Sequence, residues 1–434
     1  MARNQAFHPD HEPLRNRPDL QLNSDKIHGP FSFLNPTQAH YDHVPSKSSA
    51  DSGASDDLDN TPASPTANQD EGQPASNVGF KWSSRDNRKG RHTLAVKSSD
   101  AAEARYAVPP LTNSVKEILK TIWLMCTYYP VWDVSYLVAT IFTLGSVIWV
   151  VNAFFALLPF TNPASTFPGE TLFGGGISAF IGATIFEIGS VLIMLEAVNE
   201  NRAGCFGWAL EQEFGGHFGH GDGESAVTRV TANGCTHHHG NKKNLVGKPK
   251  NTGAVQVTEK NPTASSDGTP PGDKSWVWWP SWHELHTHYF HDLGFLACSS
   301  QMLGATIFWI SGFTALPGIY NHLSPLRVLN GVYWVPQVVG GVGFIISGTL
   351  FMIETQKHWW QPAPKVLGWH IGLWNLIGGI GFTLCPIFGF STSHWREYQA
   401  SCSTFWGSWA FLIGSVIQWY EGLDKHPVEK SNDS

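Results

Sequence analysis

The first 108 residues of this 434-residue chain contain few aromatic residues and no long apolar run. They are rich in Ser, Asp, Asn, Pro and His, a composition that buries too little apolar surface to offset the entropy lost on folding. The polar start of the chain also argues against an N-terminal signal peptide. We therefore expect residues 1–108 to form a disordered tail that stays on the cytoplasmic side of a membrane.

Six apolar stretches with few charged residues occur after Asp133. Each has roughly 20 residues or more, which is enough for a helix to cross a bilayer core of about 30 Å. The predicted spans are 134–158, 173–196, 293–316, 331–354, 367–389 and 401–420. The sequence therefore predicts an all-α membrane protein with six transmembrane helices, with membrane lipids as partners and no nucleic acid.

The even-numbered spans repeat one another without gaps. The segments GATIFEIGSVLIMLE (182–196), GGVGFIISGTLFMIE (340–354) and GSWAFLIGSVIQWYE (407–421) share a glycine, a phenylalanine four residues later and a final glutamate. The odd spans align more weakly, as DVSYLVATIFTLGSVIW (133–149) does with DLGFLACSSQMLGATIF (292–308). This pattern predicts three parallel helical-hairpin repeats with pseudo-threefold symmetry. The Pro-x-Asp/Glu-x-x-Lys/Arg motif of mitochondrial carriers is missing from every span, which excludes that family.

Small residues recur on the even spans at a spacing of seven, which places them on one helix face. Lipid tails are as apolar as leucine side chains, so membrane helices associate through close backbone approach at such residues. Gly182, Gly340 and Gly407 are the predicted contact points.

Lys and Arg are concentrated in alternate connections between the spans. RKGR at 88–91 and the loop 200–290 are rich in them, whereas TNPASTFPGE (161–170) has none. Because cytoplasmic loops carry an excess of Lys and Arg, both termini are predicted to be cytoplasmic.

The domain organisation follows from these patterns. A basic amphipathic pattern ahead of Pro130 predicts a helix on the inner membrane surface. The predicted units are the disordered tail 1–108, the interfacial helix 109–130, hairpin repeat 1 at 131–199, a largely disordered His-rich loop at 200–281, hairpin repeat 2 at 282–355, hairpin repeat 3 at 356–421, and the C-terminal tail 422–434.

Three segments carry a resemblance to a group of uncharacterised fungal polytopic integral membrane proteins: FIGATIFEIGSVLIMLEAVNEN, NGVYWVPQVVGGVGF and STFWGSWAFLIGSVIQWYE. The resemblance covers roughly residues 105–426. The F-x-I-G-S hairpin is also similar to the small bacterial YrhK-type membrane domain. Both resemblances imply a membrane location and a helical-hairpin fold, and neither implies a chemical activity.

Glu187 is the acidic residue that lies deepest in a predicted span. It precedes Glu196 by nine residues, which is about 13 Å at 1.5 Å per residue. A carboxylate at that depth must face the bundle, find a partner or be protonated, so a proton or cation pathway and a hydrogen-bonded structural role both stay open. The polar candidates near it are Asn152, Gln301, Gln337, His370 and Asn375.

Histidine and cysteine are concentrated between residues 200 and 291. Imidazole and thiolate suit zinc or copper, so a metal-handling loop is one interpretation and a solvated loop is the other. HELH at 283–286 lacks the spacing of the HExxH protease helix, and no standard zinc-finger spacing occurs. The candidate ligands are Cys205, His217, His220, Cys235, His237, His238, His239, His283 and His286.

Glu196, Glu354 and Glu421 end the three aligned even spans. Carboxylates at helix C-termini oppose the helix macrodipole and therefore need compensation. They predict either a ring that attracts cations or ordinary salt bridges to Lys357, Lys425 or Arg202.

Two function classes follow from the sequence. The bundle is either a transporter or channel for a small solute or ion, with Glu187 on the pathway, or a non-catalytic protein that organises the membrane as a scaffold. An enzyme is disfavoured, because no nucleophile–base pair, complete metal motif or phosphate-binding loop occurs, and no cofactor is implied.

Overall fold

A computed structural model describes residues 6–7, 12–13, 20–43, 78–91, 93–96, 106–107, 114–200, 202–218, 276–423 and 428–429 of the chain. Six helical segments in it are long and apolar enough to cross a membrane, as the sequence predicts. They are Val134–Thr161, Glu170–Val198, Leu293–Thr314, Leu326–Glu354, Leu367–Gly389 and His394–Gly422.

The helices begin where the sequence supplies caps. The Asp133 carboxylate accepts a hydrogen bond from the Ser135 N–H at 2.9 Å, and Asp292 accepts one from Phe295 N–H at 2.7 Å. Within the described residues, the α-helices of five or more residues are α1 (Ser84–Arg88), α2 (Val115–Thr127), α3 (Val134–Thr161), α4 (Gly176–Val198), α5 (Phe206–Phe218), α6 (Trp282–Thr287), α7 (Leu293–Thr314), α8 (Val335–Glu354), α9 (Leu367–Gly389) and α10 (His394–Gly422).

The six long helices α3, α4, α7, α8, α9 and α10 pack against one another in chain order. Each contacts the one before it and the one after it, and α10 also contacts α3, so the contacts close into a ring. The three carboxylates Glu196, Glu354 and Glu421 come together at one end of this bundle, which we call the carboxylate end.

Each long helix contributes one aromatic side chain to the middle of the bundle. Trp149, Phe308 and Phe382 contact one another with ring centroids 4.9–5.7 Å apart. Phe186, Phe344 and Phe411 form a second set at 5.5–6.3 Å. The two sets touch, with Phe382 and Phe411 at 5.2 Å. All six are almost completely buried, and we call them the aromatic core.

Glycines let the backbones of neighbouring helices meet, as predicted for Gly340 and Gly407. A Cβ atom at Gly340 would lie 2.6 Å from the carbonyl oxygen of Gly304, and one at Gly407 would lie 3.2 Å from that of Gly378. Gly182 differs, because a Cβ there would meet the Trp149 ring at 3.0 Å rather than a backbone. The glycines therefore make room both for backbones and for the aromatic core.

The prediction of an all-α chain with a disordered tail over residues 1–108 is wrong for the described part of that segment. Four antiparallel strands form a sheet in the order β1 (Leu20–Leu22), β2 (Gln38–His43), β3 (Val78–Ser83) and β4 (Thr93–Val96). Ala39, Tyr41, Phe80 and Trp82 build its small core. The average composition of the segment hides these short runs, whose alternating apolar residues fill one face of the sheet.

Two further boundaries need correction. Residues 206–218, predicted to lie in a largely disordered loop, form α5, and residues 428–429 of the C-terminal tail pair as strand β6 (Val428–Glu429) with β5 (Tyr106–Ala107). The helix predicted ahead of Pro130 is present as α2. Most of its apolar side chains are exposed, with Val115 at 71% and Trp123 at 67%, whereas Met125 is buried.

Backbone contact at Gly340 should make this position intolerant of even one methyl group. We expect Gly340→Ala to lower the free energy of unfolding by about 1–3 kcal/mol, because α7 and α8 must move apart. Gly331→Ala is the matched control, since a Cβ atom there meets nothing within 4 Å. Thermal unfolding of the purified proteins in detergent measures both, and equal midpoints for the two variants would contradict the packing argument.

Candidate functional site

A short basic segment of the N-terminal domain reaches the carboxylate end of the bundle. The segment runs from Ser84 to Arg91 and includes α1, whose N-terminus is capped by the Ser83 hydroxyl accepting from Asp86 N–H at 3.1 Å. Arg85 and Arg88 are three residues apart, so they share one helix face. Gly90 then turns the chain with a φ of 63°. We call residues 84–91 the basic segment.

Two of the three bundle carboxylates pair with this segment. Arg88 donates to both oxygens of Glu354 at 2.8 and 2.9 Å. Arg85 likewise donates to both carboxylate oxygens of Glu421, and Nη1 of Arg91 lies 3.0 Å from Oε1 of Glu421. The arrangement is a buried, bidentate ion-pair network, because the Glu354 side chain is 0% and the Arg88 side chain 4% exposed.

Glycines at the starts of α7 and α9 leave the space that the two arginines occupy. A Cβ atom on Gly294 would lie 1.7 Å from Nη1 of Arg88 and 2.6 Å from the Glu354 carboxylate. A Cβ atom on Gly368 would lie 2.7 Å from the Arg85 guanidinium carbon. The bundle is therefore shaped to receive these side chains.

The electrostatics of the basic segment follow from its burial. Burial alone lowers the pKa of Arg85 and Arg88, but the Glu421 and Glu354 carboxylates beside them hold both pKa values above the ordinary one. Lys89 is also buried but has no direct ion-pair partner among the described residues. Burial lowers the pKa of the Lys89 ammonium to about 8, although the nearby Glu196 opposes that shift.

Glu196 completes the acidic trio in a different way. The Ser135 hydroxyl donates to one of its oxygens at 2.8 Å, and the other oxygen has no hydrogen-bond partner among the described residues. The ion pairs of Glu354 and Glu421 thus come from the basic segment, not from the predicted Lys357 or Arg202, and Lys425 lies outside the described residues. The three-residue spacing of Arg85 and Arg88 is the signal in the sequence for this pairing.

A cavity of about 40 Å³ separates the basic segment from the aromatic core. Polar or charged side chains from five of the long helices line it alongside the cations Arg85, Arg88 and Lys89. Its lining comprises Arg85, Arg88, Lys89, Phe142, Ser146, Phe186, Ile193, Glu196, Gln301, Phe351, Gly368, Ile371, Asn375, Phe411, Ser415 and Gln418.

The predicted intramembrane polar residues do not converge on Glu187. Gln301 and Asn375 line the cavity, whereas Glu187 does not. Asn152 donates to the Gly175 carbonyl at 2.6 Å, and Gln337 donates to the Ser311 hydroxyl at 2.7 Å. His370 contacts the Pro364 carbonyl at 2.8 Å. These last three side chains therefore act as local structural links.

Glu187 lies half-buried between α4 and α7. The Thr306 hydroxyl lies within hydrogen-bond distance of one of its carboxylate oxygens, at 2.9 Å. The second oxygen has no hydrogen-bond partner in the described part of the chain. This geometry fits the local, hydrogen-bonded interpretation of Glu187 better than a place on a central pathway.

The metal hypothesis gains no support from the described residues. Among them, no three His, Cys, Asp or Glu side chains come together in a way that could hold a metal ion. Cys205, His283 and His286 belong to this described part. His220, Cys235, His237, His238 and His239 lie outside the described residues, as does the side chain of His217.

Comparisons with protein-family models, with characterised proteins and with solved structures reveal no match to this chain. The arrangement itself defines a site that binds a basic peptide segment through buried carboxylates.

The buried pair Arg88–Glu354 should respond very differently to single and double substitution. We expect Arg88→Met to cost about 3–5 kcal/mol of unfolding free energy, because it leaves a buried carboxylate without its cation. Adding Glu354→Met should recover most of that loss. The measurement is thermal unfolding of the full chain in detergent.

Lys120→Met is the control for that experiment. It breaks an exposed contact with Glu117 at 3.8 Å and should change the unfolding free energy by about 0.5 kcal/mol or less. A double variant as unstable as the sum of its two single variants would show that the pair is not coupled.

Proposed function

We propose that this chain is a non-catalytic integral membrane protein that organises the membrane surface as a scaffold. Its six-helix bundle anchors the N-terminal sheet domain, and the basic segment fixes that domain to the carboxylate end. The observation that carries the proposal is the buried pairing of Arg85 and Arg88 with Glu421 and Glu354. These buried ion pairs hold the N-terminal sheet domain against the bundle and so anchor it.

The attachment extends beyond the ion pairs. Asn35 N–H donates to the His291 carbonyl at 2.8 Å, and the Gln38 amide donates to the Thr355 carbonyl at 3.2 Å. Asn87 donates to Glu200 at 2.7 Å. Contacts from Asn35, Gln38 and Asn87, at separate points of the domain, resist its rotation, which supports a fixed rather than a tethered arrangement.

The aromatic core favours the anchor function rather than a channel function. Ion pathways are lined by carbonyls, charged rings or water-filled constrictions. Here six aromatic side chains, with exposed fractions of 5% or less, fill the middle of the bundle. Glu187, the predicted pathway residue, contacts Thr306 at a helix–helix boundary instead.

We further propose that hairpins 131–199, 282–355 and 356–421 are three repeats about a pseudo-threefold axis, in a relative of the fungal membrane proteins and of YrhK-type domains. The equivalent positions in the sequence alignment supply both triplets of the aromatic core. The aligned glutamates also meet at one end. These shared positions support the repeat interpretation.

Both termini and the sheet domain are proposed to be cytoplasmic, on the side rich in Lys and Arg. The outward apolar face of α2 supports contact with lipid at that surface. In a background with all six native cysteines replaced by serine, Ser165→Cys should react with a membrane-impermeant maleimide from outside intact cells, whereas Ser24→Cys should react only after permeabilisation. Labelling in the reverse order would invert the proposed topology.

Amide hydrogen exchange in lipid nanodiscs tests the anchor. We expect residues 78–91 to be protected in the wild type and to exchange at least about tenfold faster in the double variant Glu354→Gln/Glu421→Gln, because charge-assisted hydrogen bonds are lost. Peptides from α9 should be unchanged, and Glu117→Gln is the control. Unaltered protection of residues 78–91 in the double variant would refute the anchoring role.

Transport is a second candidate because a cavity lined in part by Gln301, Asn375 and Gln418 lies next to the basic segment. In that case the segment would act as a gate. Reconstituted liposomes distinguish the two functions through potassium, proton and chloride flux. The scaffold proposal requires no flux above protein-free vesicles in the wild type or in Glu354→Gln/Glu421→Gln. Flux in the variant alone would identify a gate, and its loss on adding Glu187→Gln would restore the pathway role of Glu187.

A further inference from the structure

Two exposed stretches of the chain at the carboxylate end combine apolar or aromatic side chains with lysines. The first is residues 114–132, which include α2, and the second is residues 355–366, which connect α8 to α9. Each stretch comes just before a long helix, at the end of the bundle where the buried glutamates lie. We call these two stretches the entry segments.

The exposed face of α2 is apolar, and the helix is held beside the first span by a different face. Val115 and Leu119 are four residues apart on the exposed face, at 71% and 61% exposed. Met125 is buried in a cluster with Tyr136 of α3 and Leu423 at the end of α10. This packing fixes α2 against the base of the bundle with its apolar face turned away from the protein.

Exposed tryptophans mark the level of the bilayer surface at this end. Trp123 lies in α2, Trp359 and Trp360 lie in the second entry segment, and Trp279 and Trp282 precede α7. Tryptophan is enriched where a membrane meets water, because its ring is apolar and its N–H is polar. Exposed tryptophans ahead of three of the long helices indicate that the entry segments lie at headgroup depth.

The entry segments carry an excess of positive charge. Their four lysines are all exposed, and they are Lys116, Lys120, Lys357 and Lys365. Glu117, whose carboxylate lies 3.8 Å from the Lys120 ammonium, is the one acidic residue in the two stretches. Four lysines against one glutamate leave three positive charges on this surface.

The opposite end of the bundle has no such surface. Residues 162–169, 315–325 and 390–393 connect the long helical segments there, and they contain no Lys, Arg, Asp or Glu. The two ends therefore differ in the charge that they present to a membrane surface.

We propose that the entry segments bind the headgroups of anionic phospholipids, which names the lipid partner of the proposed membrane scaffold and rests on that function. With 3.6 residues per turn, Lys116 and Lys120 lie on the flank of α2 that is away from Met125, next to the apolar face. When the apolar face enters the acyl boundary, these lysines reach the headgroup phosphates.

The pairing of apolar and basic surface selects a lipid rather than a soluble anion. A free phosphate ester would satisfy the lysines and leave the apolar face of α2 in water. An anionic phospholipid satisfies both, because its acyl chains and its charge lie at different depths. The cytoplasmic leaflet carries the anionic lipids, which agrees with the topology proposed above.

The experiment measures the lipid selectivity of the full chain in phosphatidylcholine bilayers that contain traces of spin-labelled lipid. Electron paramagnetic resonance reports the fraction of each labelled lipid that the protein surface immobilises. Phosphatidylserine should associate about fivefold more strongly than phosphatidylcholine at low ionic strength, because exposed lysines attract anionic headgroups. This preference should decline as salt rises, since the charges are exposed to screening.

Lysine substitutions test which residues carry the preference. Lys116→Gln/Lys120→Gln and Lys357→Gln/Lys365→Gln should each lower it, and all four changes together should make the two lipids associate about equally. Because all four side chains are exposed, these changes should leave the fold intact.

Two further variants are controls. Lys26→Gln/Lys81→Gln removes a matched pair of exposed lysines from the N-terminal sheet domain and should leave the preference unchanged. Lys116→Arg/Lys120→Arg keeps the charge and should retain the preference.

A fluorophore on Cys126 tests the position of α2 directly. Cys126 is exposed on the same face as Val115 and Leu119, and the other five cysteines are replaced by serine for this measurement. Doxyl-labelled lipids should quench the fluorophore, because the apolar face lies in the acyl boundary.

Equal association of the two lipids with the wild type, a preference that survives loss of all four lysines, or an unquenched fluorophore would each overturn the proposal. Soluble glycerophosphoserine that competes as well as the lipid would also overturn it, since the partner would then be a free phosphate ester. The anchoring role is tested separately: Glu354→Gln/Glu421→Gln should keep the lipid preference even where residues 78–91 lose their exchange protection.

Discussion

A carboxylate buried at the C-terminal end of a helix is the constraint on which this structure depends. Glu196, Glu354 and Glu421 stand where the helix macrodipole is already negative and where little water solvates charge. Such groups need cations with matching geometry, and arginine meets the need best because its planar fork binds both carboxylate oxygens. Arg85 and Arg88 supply that geometry from more than 250 residues away along the chain. The N-terminal domain and the bundle therefore depend on the same buried ion pairs.

This coupling explains features that look unrelated. Gly294 and Gly368 have no side chains because guanidinium groups occupy that space. The capped turn at Ser83 holds Arg85 and Arg88 on one face, and Gly90 redirects the chain immediately after them. The sheet supplies the rigid frame, since β3 leads directly into α1. An unstructured arm could carry the same charges, but ordering it would cost conformational entropy at every residue.

The six spans could be predicted from the sequence because the length of an apolar run is a local property. The aligned glutamates and the backbone contact at Gly340 could also be predicted, because the repeated sequence frame shows both. The sheet could not be predicted in this way, because strands β2 and β3 are separated by 34 residues, and averaging over that composition hides Tyr41, Phe80 and Trp82. The partners of the acidic trio were also missed, since no local pattern links Arg88 to Glu354. The depth of Glu187 follows from the sequence, whereas its contact with Thr306 follows only from the packing of α4 and α7.

Polarity along the bundle is divided between an apolar middle and one charged end, and a single argument accounts for both. The middle needs no polar group because one aromatic side chain from each long helix fills it, and contacts among such rings are favourable at about 0.5–1.5 kcal/mol per pair. The charged end cannot be packed as tightly, because buried ions need surrounding dipoles in place of water. Gln301, Gln418 and the cavity beside them provide that polar surrounding. The cavity therefore lies at the boundary between the ion-pair network and the aromatic core, and is lined by residues of both.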